Sequence, residues 1–598
     1  MRLIDRRAFL QAAGGAAGVT VIGPLAGARA ASDLNRNLIP APEDPAEWRV
    51  FREALVKWRA ETRERLRYDD ALYRRKDFSW VASCRSCCFV MLCDEAFYSS
   101  KLGRYTVESF LEEGIREFGG YDAVVLWHAY PRIGADDRNQ FDMYRDMPGG
   151  LPGLRELSGA MHARDVKVFI DYNPWDRGTR REGKSDIDAL ISLVQEIDAD
   201  GIFLDTMSKG AAEFRVRLDA ARPGAVLEGE GALPLENIHD HHMSWAQWFT
   251  DSRVPGVLRN KWFERRHMQH QINRWDRDHT AELHKGLSLS GAICPRGIGA
   301  FLSAPEAALD GDFFQFLAAQ EKLNRRADFD LSSPLRQTAP VAATRKYRQQ
   351  EAPEGMVAIP PAEFRMRVEF RVRECGFYES HSEVDLAFPN LHKILSMERK
   401  VSLKGYAIDL TPVTNALFAR FLQATRYKPQ HLENFLKHWE SGAPPAGKED
   451  HPVVYVDLDD ARAYTRWAGK RLPTEEEWQY AAQGSDARRY PWGDEMKPGL
   501  CNEGESGGTT GVTAFPDGRS PFGCYDMCGN TWEWTDSERS DGRPRFAIIR
   551  GGSFYQAKGS DWYMDGGPQP CNFAAKFLLM WPGLDRCATV GFRCAVTF

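Results

Sequence analysis

The stretch from Arg471 to Cys594 contains five short motifs, which are Arg471-Leu-Pro-Thr-Glu-Glu-Glu-Trp478, Tyr490-Pro-Trp-Gly493, Phe522-Gly-Cys-Tyr-Asp-Met-Cys-Gly-Asn-Thr-Trp-Glu-Trp534, Arg550-Gly-Gly-Ser-Phe554 and Gly591-Phe-Arg-Cys594. Glycine permits positive φ and close backbone approach, and Trp and Tyr supply large, rigid packing surfaces. Both occur too densely for an ordinary helix or a regular sheet. The stretch therefore predicts a compact, loop-rich domain that carries function in its loops.

The five motifs occur in the same order as those of the formylglycine-generating-enzyme (sulfatase-modifying-factor) family, and this part of the chain resembles that family. Two upstream segments, Gly355–Phe364 and Ala407–Asn415, extend the resemblance to roughly residues 352 to 598. The resemblance implies a variant of the C-type-lectin-like fold, an α+β structure. We assign residues 346–598 to this domain.

Catalytic members of the family use two cysteines, just after the Gly-Gly-Ser-aromatic turn, to bind copper and activate oxygen. The matching positions here are Gln556 and Asp561. An amide and a carboxylate are the wrong ligands for soft Cu(I), so we expect no copper and a non-oxidising domain. Cys571 and Cys587 would substitute only after a loop rearrangement, and a structural role is the ordinary interpretation of such cysteines.

The resemblance also implies a structural calcium site. Its ligand positions fall on Asp526, Gly529, Thr531 and Glu533. Two carboxylates and two backbone carbonyls suit a hard cation that prefers oxygen. The alternative is that Asp526 and Glu533 only bind neighbouring backbone amides.

Residues 1–31 have the three parts of a twin-arginine signal peptide. They are Asp5-Arg6-Arg7-Ala8-Phe9-Leu10, the glycine-rich apolar run Ala12–Leu25 and the cleavage site Ala28-Arg29-Ala30. The run is shorter than the roughly 20 apolar residues of a membrane span, and no later stretch qualifies. We predict twin-arginine export to the periplasm or the outside of the cell, no stable membrane span, and an N-terminal helical extension at residues 32–78.

Composition narrows the class of partner. The formal net charge of -6 and the absence of a basic run give no reason to expect nucleic acid. Among the 12 cysteines, Cys84, Cys87, Cys88 and Cys93 cluster together. Because no second Cys or His pair lies nearby, buried or disulfide-bonded cysteines at a strand start are favoured over a metal site.

Residues 79–345 alternate between short apolar runs and amphipathic helices. The runs are Cys88–Leu92, Ala123–Trp127, Val166–Ile170, Gly201–Leu204 and Ala225–Leu227, and the clearest helices are Leu151–Ala163 and Ile187–Ile197. This pattern indicates a parallel sheet buried on both faces. We predict a (β/α)₈ TIM-type barrel; the competitor, a doubly wound open sheet, lacks a glycine-rich phosphate loop after its first strand.

Polar residues follow successive predicted strands, at the edge where barrel enzymes carry their chemistry. Two carboxyl groups that flank a sugar bond are the minimum for glycoside hydrolysis. The layout weakly resembles retaining glycosidases of the α-amylase and α-galactosidase groups, which implies that Asp205 is the nucleophile and Glu228 or Glu230 the acid and base. The chain departs from the amylase pattern at Phe203, where that family keeps an arginine.

Further residues are candidates for substrate binding, namely His128, Asp171, Trp175, Asp176, His242 and Asp276. His242 belongs to the segment His239-Asp-His-His242, which we interpret as a loop on the rim rather than a metal cluster, because adjacent residues rarely face one ion. Asp276 follows another predicted strand end and is a reserve candidate for the acid.

The sequence thus predicts an exported carbohydrate-active protein, a glycoside hydrolase with a lectin-like C-terminal domain that binds glycan, protein or the barrel. Two alternatives stay open. The first is a formylglycine-generating-enzyme-like oxidoreductase or maturation factor with an unrecognised redox site. The second is a non-catalytic scaffold that binds glycan or protein, in which the barrel carboxylates serve structure only.

Overall fold

The computed structural model describes residues 34–274 and 352–598, with residues 315 and 319, apart from gaps at 35, 43, 93, 95, 96, 100, 129–131, 232, 246–255, 374–390, 541–544 and 580–582. The predicted signal peptide, Cys93 and Asp276 lie outside the described residues. No helix within the described part of the chain combines the length and the apolar character that crossing a bilayer requires.

The elements up to residue 274 form a barrel with an N-terminal extension. In order they are β1 (Leu38–Ile39), α1 (Trp48–Arg65), β2 (Ser86–Met91), β3 (Tyr98–Ser99), β4 (Arg104–Tyr105), α2 (Val107–Phe118), β5 (Ala123–Trp127), α3 (Gln140–Arg145), α4 (Gly150–His162), β6 (Lys167–Tyr172), α5 (Asp186–Ile197), β7 (Gly201–Leu204), α6 (Ala212–Ala221), β8 (Val226–Gly229), β9 (Met243–Trp245), β10 (Val257–Leu258), α7 (Arg259–Phe263) and β11 (Met268–Arg274).

The barrel sheet is parallel and closed. Its strand order is β11-β2-β5-β6-β7-β8-β9, and β11 pairs with both β2 and β9. The predicted parallel sheet is therefore confirmed, and the open doubly wound alternative is wrong. Among the described residues seven strands close the sheet, and the predicted eight-stranded (β/α)₈ arrangement is not confirmed.

The interior of the barrel is packed rather than hollow. Phe203 stacks on Trp245 with ring centroids 4.3 Å apart, and Phe89 contacts Phe203, Trp127 and Trp245. Cys84, Cys87 and Cys88 are buried at the start of β2, as the cluster predicts. Continuous apolar runs form these strands because both faces of the sheet are covered.

The C-terminal domain is α+β. Its elements are β12 (Met356–Ile359), β13 (Ala362–Arg371), β14 (Ile394–Leu403), β15 (Tyr406–Asp409), α8 (Asn415–Thr425), α9 (Leu458–Trp467), α10 (Glu475–Gln483), β16 (Trp532–Ser540), β17 (Arg545–Arg550), β18 (Ala575–Leu579), β19 (Val590–Phe592) and β20 (Ala595–Thr597). In the part of this domain that the structure describes, the strands form three sheets, with orders β12-β15-β20, β13-β14 and β18-β17-β16-β19. Between α10 and β16 the chain is almost entirely loop, as the glycine-rich motifs predict.

The two parts of the chain share a hydrophobic core. The cluster that fills and surrounds the barrel also contains Phe546, Ala557, Tyr563, Leu578 and Leu584 from the C-terminal domain. Each of these five side chains is buried. The contact between barrel and C-terminal domain is therefore a packed interface, and it lies on the loops that follow β5 and β6.

Candidate functional site

Four consecutive strands of the barrel carry polar residues at one rim. β5, β6, β7 and β8 are parallel neighbours, so their C-terminal ends lie at the same edge. His128 follows β5, Asp171 lies near the end of β6, Asp205 follows β7 and Glu230 follows β8. The fold thus brings these sequence-predicted residues to one rim.

A buried network joins the ends of β5 and β6. His128 Nε2 lies 3.4 Å from Asp171 Oδ2 and 3.2 Å from Asn173 Nδ2. Asn173 Nδ2 donates to Asp171 Oδ2 at 2.5 Å. All three side chains are buried, and burial lowers the pKa of His128 to about 3. The imidazole is therefore neutral near pH 7 and acts as a hydrogen-bonding group rather than a cation.

Two residues of α3 hold this network in place. The Tyr144 hydroxyl accepts the Asp171 N–H and donates to the Leu126 carbonyl, both at 2.7 Å. Gln140 Nε2 donates to the Asn173 carbonyl, and Gln140 Oε1 accepts the Asn173 N–H, both at 2.8 Å. Sequence reasoning missed both supporting residues, because α3 has only six residues and no clear apolar period.

The start of α3 does carry a sequence signal. The Asn139 side chain accepts the N–H of Asp142, and the Asp142 side chain accepts the N–H of Asn139. An Asn followed by an acidic residue three positions later is such a capping pair, and it marks a helix start. This pair would have located the helix that positions the network.

Asp176 supports the loop after β6. Its Oδ2 accepts the Gln140 N–H at 2.8 Å, and its Oδ1 accepts the Thr179 hydroxyl at 2.6 Å and the Tyr563 hydroxyl at 3.1 Å. The side chain is fully buried, and burial raises the pKa of the carboxyl. The structure therefore ties Asp176 into the loop and the domain interface, which does not favour the predicted contact with a substrate.

Asp205 and Glu230 lie side by side. Each follows the registered pair Leu204–Gly229 by one residue, and the Glu230 N–H still lies 3.4 Å from the Leu204 carbonyl. Neighbouring strands are about 4.8 Å apart, so the two positions are adjacent. Both residues are half-buried. The Thr206 N–H donates to Glu230 Oε2 at 2.6 Å, which orients that carboxyl group.

Glu228 lies one layer deeper than Glu230. It is in register with Phe203, which is in register with Asp171. These three neighbours face the same side of the sheet, and Phe203 packs in the barrel interior against Trp245. Glu228 is fully buried. Of the two glutamates left open by the sequence, Glu230 is the one at the level of Asp205.

The C-terminal domain covers part of the rim. The Arg132 guanidinium lies 3.3 Å from the ring centroid of Phe577 and donates to the Leu584 carbonyl at 3.3 Å. The Tyr563 hydroxyl accepts the N–H groups of Arg177 and Gly178 at 2.7 and 2.6 Å. The ends of β5 and β6 are thereby enclosed, whereas Asp205 and Glu230 keep part of their surface.

Trp175 takes part in the same interface. Its ring meets Tyr563 edge-on at 5.4 Å and stacks on Trp562 at 6.4 Å between centroids. Trp175 and Trp562 are only partly buried. The predicted substrate-binding Trp175 therefore packs against the C-terminal domain and still presents some aromatic surface.

His242 lies away from the carboxylates, which corrects our interpretation of His239–His242 as a loop on the rim. The residue precedes β9, so it sits at the N-terminal end of that strand. Its ring stacks on Phe78 at 3.8 Å and packs against Tyr73 at 4.5 Å. Burial lowers the pKa of His242 well below its usual value. The strand direction, which the loop sequence does not encode, decides this position.

The predicted calcium ligands are engaged by protein groups. Glu533 Oε1 and Oε2 both accept from Arg593 at 2.6 Å, and Oε2 also accepts from Trp478 Nε1 at 2.7 Å. Asp526 Oδ2 accepts from Asn530 Nδ2 at 2.8 Å, and burial raises the pKa of Asp526 to about 7. Within the described residues no group of three or more His, Cys, Asp or Glu could hold a metal. The calcium site at Asp526, Gly529, Thr531 and Glu533 stays a prediction, since two carboxylates with two backbone carbonyls form no such group.

The loop after β17 carries an amide and a carboxylate at the positions matched to the copper cysteines. Gln556 and Asp561 are exposed. Gln556 lines a cavity of about 290 Å³ together with Glu503, Gly504, Gly507, Phe554, Tyr555, Lys558, Gly567 and Pro568. Cys571 and Cys587 are fully buried, and burial raises the pKa of both thiols. Since the thiolate is the metal ligand, these cysteines are poor substitutes for an exposed pair.

Comparison with known proteins identifies the C-terminal domain. Residues 341–598 match the family model described as "Sulfatase-modifying factor enzyme 1-like domain". The chain is 31% identical over 247 residues to the inactive C-alpha-formylglycine-generating enzyme 2 of Bos taurus, covering 33% of this chain and 79% of the relative. It is 35% identical over 236 residues to the formylglycine-generating enzyme of Thermomonospora curvata, covering 31% of this chain and 72% of the relative.

A solved structure also aligns with part of the chain. An α-amylase from Geobacillus thermoleovorans aligns with 28% of this chain and 52% of its own, at 18% identity and a TM-score of 0.19. A TM-score of this size is too low to identify a fold.

Proposed function

The chain belongs to the sulfatase-modifying-factor family through its C-terminal domain, and from that premise we propose that it is a non-oxidising member whose chemistry has moved to the barrel. We propose that the barrel hydrolyses glycosides. The position matched to one copper cysteine is Gln556 and the other is Asp561, and the described cysteines nearby are buried. These substitutions remove the family's oxygen chemistry and leave the barrel rim as the best-supported site.

The observation that carries this proposal is the pair Asp205 and Glu230. They occupy adjacent positions on neighbouring strands, whose backbones lie about 4.8 Å apart, and both side chains are only partly buried. Retaining glycosidases hold their two carboxyl groups about 5–5.5 Å apart, so that one attacks the sugar while the other protonates the leaving group. Adjacent positions on neighbouring strands bring two carboxyl groups close enough together for such a pair to form.

Each residue then has a defined step. Asp205 attacks the anomeric carbon as the bond to the leaving oxygen breaks, and Glu230 gives that oxygen its proton. Glu230 next takes a proton from water, and the water oxygen displaces Asp205 from the sugar. The N–H of Thr206 keeps the Glu230 carboxyl oriented throughout. Glu228 is assigned a positioning role beneath the pair, because it is fully buried.

The buried network of His128, Asp171 and Asn173 forms the adjoining wall. We propose that it supports the sugar-binding side of the rim, with Trp175 as the aromatic surface on which a sugar ring packs. The C-terminal domain encloses this wall through Tyr563 and Arg132. Its role would be to close the site from one side.

The test is an activity screen of the purified chain against aryl α- and β-glycosides and polysaccharides. We expect Asp205→Asn to reduce turnover at least 10³-fold with an unchanged melting temperature. The matched control is Asp165→Asn, an exposed aspartate before β6 at the opposite end of the barrel. Loss of activity in both variants, or in neither, would contradict the assignment.

A second experiment separates the two glutamates. Glu230→Gln should lose activity on glycosides with poor leaving groups and keep much of it on dinitrophenyl glycosides, which leave without a proton. Glu228→Gln should reduce activity on both kinds of substrate in proportion. The reverse pattern would assign the acid to Glu228.

A non-catalytic binding role is the second candidate function. The observation that favours it is that one relative, covered over 79% of its length, carries the name of an inactive enzyme. It predicts no turnover on any glycoside, together with glycan or protein binding that Asp205→Asn leaves unchanged.

The place of action is also a proposal. The twin-arginine pattern of residues 1–31 supports export to the periplasm or beyond the cell. Cell fractionation of the full-length chain beside an Arg6→Lys, Arg7→Lys variant tests it. We expect the variant to remain in the cytoplasm, and equal export of the two proteins would overturn the proposal.

A further inference from the structure

Two buried cysteines meet beneath the wall of the Gln556 cavity. Cys501 lies in the loop before Glu503, and Cys528 lies in the loop before β16. Both are buried, and burial together with the neighbouring Cys501 raises the pKa of the Cys528 thiol. Cys501 Sγ also lies 3.3 Å from the point that a Cβ on Gly529 would occupy. The two cysteines are thus close neighbours in space.

The backbone around the pair is fixed from both sides. Asn502 Nδ2 donates to Asn530 Oδ1 at 3.1 Å, and the Asn530 N–H lies 3.3 Å from the Asn502 carbonyl. Gly529 has φ +79°, a conformation that glycine adopts without strain. The segments that carry Cys501 and Cys528 therefore run side by side, and this brings the two cysteines together.

We propose that Cys501 and Cys528 form a disulfide when the protein meets an oxidising compartment. One thiolate attacks a sulfur of an external disulfide, and a mixed disulfide forms as the first external thiol leaves. The second cysteine then displaces the remaining external thiol and closes the Cys501–Cys528 bond. Two protein thiols are oxidised, and one external disulfide is reduced to two thiols.

The bridge would lock both sides of the cavity to one segment. Glu503, Gly504 and Gly507 line the cavity and follow Cys501 directly. On the other side, the Phe554 N–H donates to the Asn530 carbonyl at 3.0 Å. With the disulfide closed, the loop from Cys501 and the turn at Phe554 are both anchored on residues 528–530. The redox state of the pair would then control how freely this cavity opens.

Two other cysteines are nearby competitors. Cys571 lies close enough to Cys528 for its charge to affect the Cys528 thiol, and Cys524 is four residues from Cys528 in the same loop. Cys501 is favoured because its segment is hydrogen-bonded to the segment that carries Cys528. Cys524 is therefore the matched control, since it is equally buried in the same segment.

The experiment treats the reduced full chain with glutathione disulfide, blocks remaining thiols in denaturant, and maps tryptic peptides by mass spectrometry. We expect a cross-link between peptides 490–519 and 520–539. It should persist in Cys524→Ser and disappear in Cys501→Ser and Cys528→Ser. Fully alkylated peptides after oxidation, a cross-link to the peptide that carries Cys571, or loss of the link in Cys524→Ser would each overturn the proposal.

A stability measurement provides a second readout. Closing a loop of this size restricts the unfolded chain, so the oxidised protein should melt on the order of 5 °C higher than the reduced protein. Cys501→Ser should show no difference between the two conditions. An equal melting temperature for the oxidised and the reduced wild type would contradict the disulfide. If a variant fails to fold, the presence or absence of the cross-link in the wild type still decides the question.

Discussion

At the scale of single residues, Glu533, a predicted calcium ligand, forms a buried ion pair within the protein. Its carboxylate is fully buried between Arg593 and the Trp478 indole. Arg593 also donates to the Asp409 and Tyr525 carbonyls. The ion pair therefore connects β16 to β15 and to the loop that precedes β16. A charge in this position is stable only while its partner is present.

Glu533→Gln should destabilise the protein by about 3–5 kcal/mol, because it leaves the Arg593 charge buried without its partner. Urea denaturation measures the change. The control is Asp486→Asn, which removes an exposed pair with Arg488 and should cost less than about 1 kcal/mol. A large fall in the urea midpoint on adding EDTA to the wild type would contradict this account, since it would mean that a cation holds Glu533.

Asp526 gives a pH prediction. Burial raises its pKa from 3.8 to about 7 in the folded protein, so folding takes up a proton between these values and the free energy of unfolding falls as pH rises through this window. Asp526→Asn mimics the protonated form. Its stability relative to wild type should increase by on the order of 2–4 kcal/mol between pH 4 and pH 7 and then level off. Asp517→Asn, at an exposed position, is the control, and a pH-independent difference for Asp526→Asn would contradict the prediction.

At the scale of elements, the turn after β7 is strained where the proposed chemistry lies. Thr206 follows Asp205 directly and has φ +59°, which is unfavourable for a β-branched residue. Its N–H donates to Glu230, and the Met207 N–H donates to the Leu204 carbonyl. The strand thus ends in a tight turn that sets the direction of both carboxylates. Strain of this kind persists only where the surroundings enforce it.

Thr206→Gly should therefore stabilise the protein, by about 1 kcal/mol, because glycine relieves the strain by more than its added flexibility costs. The same change at Thr513, an exposed threonine without positive φ, should destabilise it by about 0.5–1 kcal/mol. Thermal unfolding of both variants makes the comparison. Equal losses in the two variants would show that the Thr206 turn stores no strain.

At the scale of the whole molecule, the barrel and the C-terminal domain behave as one packed body. Their shared core contains Tyr563 and Leu578, and the Arg132 side chain is buried against Phe577. The backbone itself takes part, since the Met564 N–H donates to the Ile133 carbonyl at 2.9 Å. We therefore expect a single cooperative unfolding transition, as in one domain rather than two linked ones.

Gly178→Ala should reduce the cooperativity of unfolding between the barrel and the C-terminal domain. A Cβ at Gly178 would lie 2.0 Å from the Lys558 carbonyl oxygen, so the interface must shift. We expect a loss of about 1–3 kcal/mol and a second calorimetric transition. Gly159→Ala is the control, since a Cβ there meets nothing within 4 Å and alanine favours helix α4. One unshifted transition for Gly178→Ala would contradict the packed interface.

The sequence by itself determined the elements and much of the rim. Apolar runs near Ala123, Lys167 and Gly201 formed parallel strands because their side chains are buried on both faces, a property that each run carries locally. The order of the glycine and aromatic motifs likewise identified the C-terminal domain. Because the strands are parallel, the carboxylates that follow β7 and β8 lie at the same rim of the barrel.

Only the tertiary structure decided which of those residues act together. The pairing of β11 with both β2 and β9 showed that the sheet is closed. The direction of β9 placed His242 at the end of the barrel opposite the carboxylates. Asp176 is hydrogen-bonded to Tyr563 and Glu533 to Arg593, and the two residues of each pair lie far apart in the sequence. The physical reason is that a buried charge takes whichever partner packing brings to it, and local sequence does not record that partner.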